Sequence, residues 1–196
     1  MSTQANKKRA AALFQQRQFK AAMQLFERIC RENKKDFEAW VYLGITKSAL
    51  GDSIAAEACL RHAIRLQPTN ALAHFNLGCA LEANKKYGAA VQAFQQAIRL
   101  KPDYFEAWHN LASVLRILGQ TSAATGAFKR ALALNPHSAE TYRGLASTYV
   151  TQGKATEAAA VCKQVLALTP EHVSAHSLLL FLSTLYLEDP REIYRI

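Results

Sequence analysis

Two histidines in the stretch EHVSAH, His172 and His176, stand four residues apart, the spacing at which a helix could offer both rings to one metal ion. His172 falls at the expected start of that helix and no third ligand lies near, so surface histidines are expected and no metal. Cys30, Cys59, Cys79 and Cys162 are too scattered for a zinc knuckle or a small disulfide framework. They read as free thiols in a reducing, cytoplasmic setting, with Cys79 a small packing residue rather than a reactive one. The glycines form no phosphate-binding loop, and no HExxH, paired-carboxylate or Ser/His/Asp set is present. No catalytic residue and no cofactor is expected within the chain. What remains is chemistry for binding. Asn76 and Asn110 carry carboxamides 34 residues apart, each able to donate and accept toward a peptide backbone.

The charge of +9 has a location. Residues 1–36 hold nine Lys and Arg, among them Lys7, Lys8 and Arg9, against Glu27, Glu32 and Asp36. The rest of the chain has only a small basic excess, so the basic character forms a solvated end rather than a groove running the length of the molecule. These cations are not interleaved with aromatic residues, and no nucleic acid is expected as partner. No apolar run of about 18 residues occurs, so no membrane span is expected. The opening stretch MSTQANKKRAAALFQQRQF lacks an apolar core, and no secretory signal is expected.

The elements that must position the binding residues repeat. AIRLQP ends at Pro68 and AIRLKP at Pro102; ALALNP and VLALTP end at Pro136 and Pro170, each one 34-residue step on. Units 37–70, 71–104, 105–138 and 139–172 follow, and 3–36 fits the same frame with Lys34 in place of proline. In each unit, apolar residues step by three or four in two segments, which predicts two helices. Gly51, Gly119 and Gly153 share the break between them, where a left-handed turn is needed. Gly44, Gly78, Ala112 and Ala146 share one small position in the first helix; Ala22, Ala56, Ala90, Ala124 and Ala159 are assigned to one in the second. Phe26, Leu60, Phe94 and Phe128 fill the space beyond. One such hairpin cannot bury its own apolar faces, and stacking several produces a core. The fold class expected is all-α: a helical-repeat solenoid of antiparallel pairs wound into a right-handed superhelix.

These residues resemble the tetratricopeptide repeat. In 105–138 the family pattern stands as Trp108, Leu111, Ala112, Gly119, Ala124, Phe128, Ala131 and Pro136. In 37–70 it stands as Trp40, Leu43, Gly44, Gly51, Ala56, Leu60, Ala63 and Pro68. Unit 3–36 has Asn6 and Arg9 where the pattern has its aromatic–leucine pair, as a terminal cap facing water would. The first helix of each unit is expected to leave a stripe on an inner, concave wall. In 37–70 that stripe is Glu38, Val41, Tyr42 and Ile45. An exposed Tyr42 and Phe75, with Asn76, His109, Asn110, Arg116 and Arg143, form the expected peptide-binding set.

The Asn76–Asn110 pair resembles the asparagine ladder in the repeats of O-linked N-acetylglucosamine transferases. The stretch after Pro170 is expected to be a capping helix over 173–196 or the start of a junction. Its His176, Ser177, Leu179, Leu180, Phe181, Leu185, Tyr186, Asp189, Pro190, Glu192 and Ile193 look like the passage by which SPINDLY-type enzymes leave their repeats. That resemblance implies the substrate-recognition arm of a glycosyltransferase; the alternative is a free-standing scaffold. Either way the expected partner is a protein or extended peptide, and self-association through the repeats is compatible with the pattern.

Overall fold

The computed structural model describes residues 3–171 and 173–186, and every regular element among them is an α-helix. The helices are α1 (Thr3–Gln15), α2 (Phe19–Glu32), α3 (Phe37–Ala49), α4 (Ser53–Leu66), α5 (Ala71–Ala83) and α6 (Tyr87–Leu100). They continue as α7 (Phe105–Ile117), α8 (Thr121–Leu134), α9 (Ala139–Thr151), α10 (Ala155–Leu168) and α11 (Val173–Tyr186). No helix among the described residues is long and apolar enough to cross a membrane. The chain divides into two compact units, one ending at Pro102 and one beginning at Asp103. In the first, α1 to α6 pack consecutively and α3 also meets α5; in the second, α7 to α11 pack consecutively and α7 also meets α9.

Local chemistry sets the helix ends. Asp36, Asp52, Asn70 and Ser138 precede first or second helices, and each side chain accepts from the backbone N–H three residues on, at 3.0–3.3 Å. Each such cap stabilises its helix by about 1 kcal/mol. A second link recurs at the ring position of the first helix. Trp40 Nε1 donates to Lys34 O (2.9 Å), His74 Nε2 to Pro68 O (2.9 Å) and His176 Nε2 to Pro170 O (2.7 Å). Since a carbonyl can only accept, both imidazoles carry their proton on Nε2 there. The ring N–H thus ties each first helix to the chain just leaving the preceding second helix. His172, the other histidine of the pair considered above, lies outside the described residues.

The turn between paired helices passes through left-handed backbone at one repeat position: Gly51 (φ 86°), Gly119 (72°) and Gly153 (71°), but also Arg17 and Lys85 (both 58°). A Cβ strains that conformation, while glycine costs some unfolded-state entropy. Lys85→Gly should therefore raise stability by about 0.5–1 kcal/mol. The check is a higher urea midpoint; an unchanged or lower midpoint would mean the strain is absent.

The core is the set of repeat positions named from the sequence, with two corrections. Ala22, Ala56, Ala90 and Ala124 are fully buried, and the fifth member is Ala158, not Ala159; the run Ala158–Ala159–Ala160 let the register slip by one. Asn6 does not face water. It is 3% exposed, at the repeat position where the larger Trp40 and His74 rings are only partly buried: the short carboxamide stays inside where a ring reaches the surface.

One buried charge crosses between hairpins. Glu57 on α4 accepts from Arg61 Nε, Lys86 Nζ and Asn84 Nδ2, each at 3.0 Å. Gln152 donates to Thr125 Oγ1 (3.1 Å) at the equivalent places in the second unit. Burial alone would raise the Glu57 pKa, but the Lys86, Arg61 and Asn84 hydrogen bonds outweigh it and hold the carboxyl below its usual range. The unfolded chain therefore takes up this proton at higher pH than the folded one. The stabilisation is complete above the ordinary carboxylate pKa and is lost as pH falls through the lower folded value. Glu57→Gln should cost about 1–2 kcal/mol at pH 7, and the cost should shrink as the pH falls below the ordinary carboxylate range. Urea titrations over a series of pH values check this; a pH-independent difference would contradict it.

Candidate functional site: the first-helix faces

In the first unit, α1 and α3 frame a cleft of about 180 Å³ with Ala11, Tyr42 and Glu38 on its walls and Phe26 of α2 as its floor. Tyr42 stacks on Phe26 (ring centroids 5.5 Å, planes within 8°) and meets Phe14 edge-on at 6.0 Å. It is still 37% exposed. The tyrosine is thus held by two aromatic contacts while part of it stays open to solvent, as suits an anchor for a partner chain. At the mouth Lys7 Nζ lies 2.7 Å from Asp36 and 3.3 Å from Glu38. Burial works against the Lys7 charge, but these carboxylates more than offset it and raise its pKa. Lys7 is therefore an internal ion-pair member rather than a free cation of the basic end.

Three expectations about this face change. Val41, placed on the open stripe, is only 2% exposed. Phe75 is half-buried rather than exposed, lying 5.9 Å from Phe94 of its own hairpin. His109 occupies the same repeat position as Phe75 and behaves alike, half-buried at 5.9 Å from Phe128. Its Nδ1 also meets Thr141 Oγ1 at 2.9 Å, and Thr141 is fully buried. Burial, aided by Arg143, holds the His109 pKa below the usual range, so the ring is neutral at pH 7. Phe75 and His109 thus brace the wall rather than line it.

Asn76 is half-buried beside the 43%-exposed Leu72, and its Nδ2 donates to Leu72 O at 2.8 Å. That bond fixes the amide and leaves Oδ1 as the acceptor for a ligand's N–H. In the second unit Asn110 is half-buried on α7, Arg116 is exposed in its last turn, and Arg143 on α9 is exposed beside Glu140 at 3.7 Å. An exposed pair of that length contributes little to stability and leaves the guanidinium available. The structure therefore brings Tyr42, Phe75 and Asn76 into the first unit and His109, Asn110, Arg116 and Arg143 into the second. Phe26 was missed as a cleft residue and was visible only as one of the four repeated spacers.

Models of the tetratricopeptide repeat match residues 3–46, 43–105, 93–125 and 115–180, which together span nearly all of the described chain. The chain is a tetratricopeptide-repeat protein. No curated protein sequence matches it. Among solved structures, MamA from Desulfovibrio magneticus RS-1 is similar at a TM-score of 0.81 and 19% identity, over 87% of this chain and 96% of that one. YrrB, described as a TPR protein with an unusual peptide-binding site, is similar at 0.76 and 18% identity, over 90% and 89%. The APC/C hetero-tetramer Cut9–Hcn1 is similar at 0.75 and 22% identity, over 88% of this chain and 35% of the matched one. At these identities the likeness is one of fold. The tetratricopeptide repeat also accounts for what the first helices display. Its small positions face inward, where a Cβ on Gly44 would stand 2.6 Å from Leu60 and one on Gly78 2.5 Å from Phe94.

Proposed function

We propose that this tetratricopeptide-repeat protein holds a partner protein as an extended segment on the exposed faces of its first helices. The observation that carries the reading is the α1–α3 cleft, in which Tyr42 is stacked rigidly on Phe26 yet open to solvent. In the first unit Asn76 takes the backbone of a bound segment, and Tyr42 and Leu72 take its apolar side chains. In the second unit, taken by itself, Asn110 offers the same carboxamide, and Arg116 and Arg143 bias the choice toward acidic residues. The peptide-binding site in YrrB's description and the Cut9–Hcn1 assembly support the reading by analogy of fold. The repeats are organised as hairpins 3–36, 37–70, 71–104, 105–138 and 139–172, with 173–196 following.

The adaptor role and the glycosyltransferase-arm role use this same face. The residues that would carry the second furthest, Asp189, Pro190, Glu192 and Ile193, lie outside the described residues, and none of the relatives named above is described as a glycosyltransferase. The adaptor role therefore needs fewer assumptions. For a neutral peptide selected from a displayed random library and lost on Tyr42→Ala, Asn76→Ala should weaken binding by about tenfold, measured by fluorescence anisotropy. Unchanged affinity in the folded Asn76→Ala variant would remove the carboxamide from that site.

A further inference from the structure

A larger cleft lies elsewhere in the first unit. Of about 630 Å³, it is enclosed by α2, α3, α4 and the α2–α3 connection, and it shares no lining residue with the Tyr42 cleft. Cys30, Leu43 and Cys59 line it as nearly inaccessible apolar surface, at 3%, 3% and 7% exposure. Trp40 and His62 close one side, their rings 4.3 Å apart. Both rings are locked, since Trp40 Nε1 (2.9 Å) and His62 Nε2 (3.1 Å) donate to the same Lys34 carbonyl. With its proton on Nε2, His62 accepts from Arg65 Nη2 at Nδ1 (3.1 Å). Lys47 is matched by Glu27 at 2.8 Å. Two further cations on the lining, Arg31 and Lys34, have no carboxylate partner among the described residues; Arg31 reaches only the Glu27 carbonyl, at 3.4 Å.

We infer that this cleft is a second protein-docking site, one that takes an apolar or aromatic side chain flanked by carboxylates from an acidic segment of a partner. The fixed, partly exposed Trp40–His62 pair accepts the anchor above the buried floor, and Arg31 and Lys34 neutralise the acidic flanks. Pockets for small molecules enclose most of their ligand's surface, whereas Arg31 and Lys34 stand exposed, which suits a side chain that remains attached to a larger surface. The cleft combines a partly exposed aromatic wall with uncompensated charge of one sign, so the occupant's chemistry is specified on both counts. With the first-helix faces, the protein then engages two different segments at once.

The test uses the full chain and a fluorescein-labelled peptide with one phenylalanine between runs of glutamate, followed by anisotropy. Replacing the peptide's phenylalanine with alanine should weaken binding by about tenfold or more. The exposed-rim variant R31E/K34E, checked for fold by circular dichroism, should weaken it by about tenfold and shift preference to a lysine-flanked version of the peptide. Failure of the glutamate peptide to bind overturns the proposal. So does binding indifferent to R31E/K34E or to loss of the phenylalanine. Loss of binding in Tyr42→Ala instead would place the acidic segment on the first-helix face and equally overturn a separate site.

Discussion

Replacing Phe94 with alanine should remove about 3–5 kcal/mol of stability, a large share of what a domain of this size has. Phe94 is fully buried in the first unit, against Phe75 of its own hairpin and over the backbone of Gly78. Truncation forfeits the transfer of a whole ring and leaves a void that rigid helices cannot close. Urea denaturation of the full chain would show the midpoint fall. A loss below about 1 kcal/mol would mean that neighbouring side chains collapse into the gap and that the ring does not set the helix spacing.

The second large effect concerns the residue Phe94 rests upon. A Cβ built on Gly78 would stand 2.5 Å from Cε1 and 2.6 Å from Cδ1 of the Phe94 ring, closer than real contacts allow. Gly78→Ala should therefore cost about 1–3 kcal/mol, although alanine is by nature the better helix former by about 1 kcal/mol. The combination decides between causes. In a Phe94→Ala background the clash is gone, so Gly78→Ala should become neutral or stabilising by up to about 1 kcal/mol. A double-mutant cycle measures this coupling. Strict additivity would show that the glycine is required by something other than the phenylalanine, such as the backbone path of α5.

Most of the fold was legible because it is periodic. Prolines one repeat apart mark where second helices stop, and spacing by three and four assigns each residue an angle around its helix. What spacing cannot supply is which neighbour lies over that angle. Phe75 and His109 point where an open stripe was expected, yet each is half-buried against the phenylalanine of its own hairpin, Phe94 or Phe128. Val41 is buried outright, packed with Ala63 and Ala73 from later elements. Asn6 misled for the opposite reason: a polar residue suggested water, while its short side chain is buried.

Of the candidate site, Tyr42 and Asn76 were legible as exposed or half-exposed members of the stripe. The stack of Tyr42 on Phe26 was not, since it joins residues of different hairpins whose approach depends on helix packing. The Trp40–His62 cleft was invisible for the same reason. Its cysteines looked like scattered thiols until α2 and α4 set Cys30 and Cys59 into one apolar floor, where burial pushes the Cys30 thiol up to about 12 and makes it unreactive.

The most direct measurement is amide chemical-shift mapping of the labelled full chain during titration with a neutral peptide selected for binding. If the first-helix faces hold the segment, shifts should concentrate on α1, α3 and α5 around Ala11, Tyr42, Leu72 and Asn76, and Tyr42→Ala should abolish them. Shifts confined to α2 and α4, or a pattern unchanged by Tyr42→Ala, would contradict the assignment of that face as the binding surface.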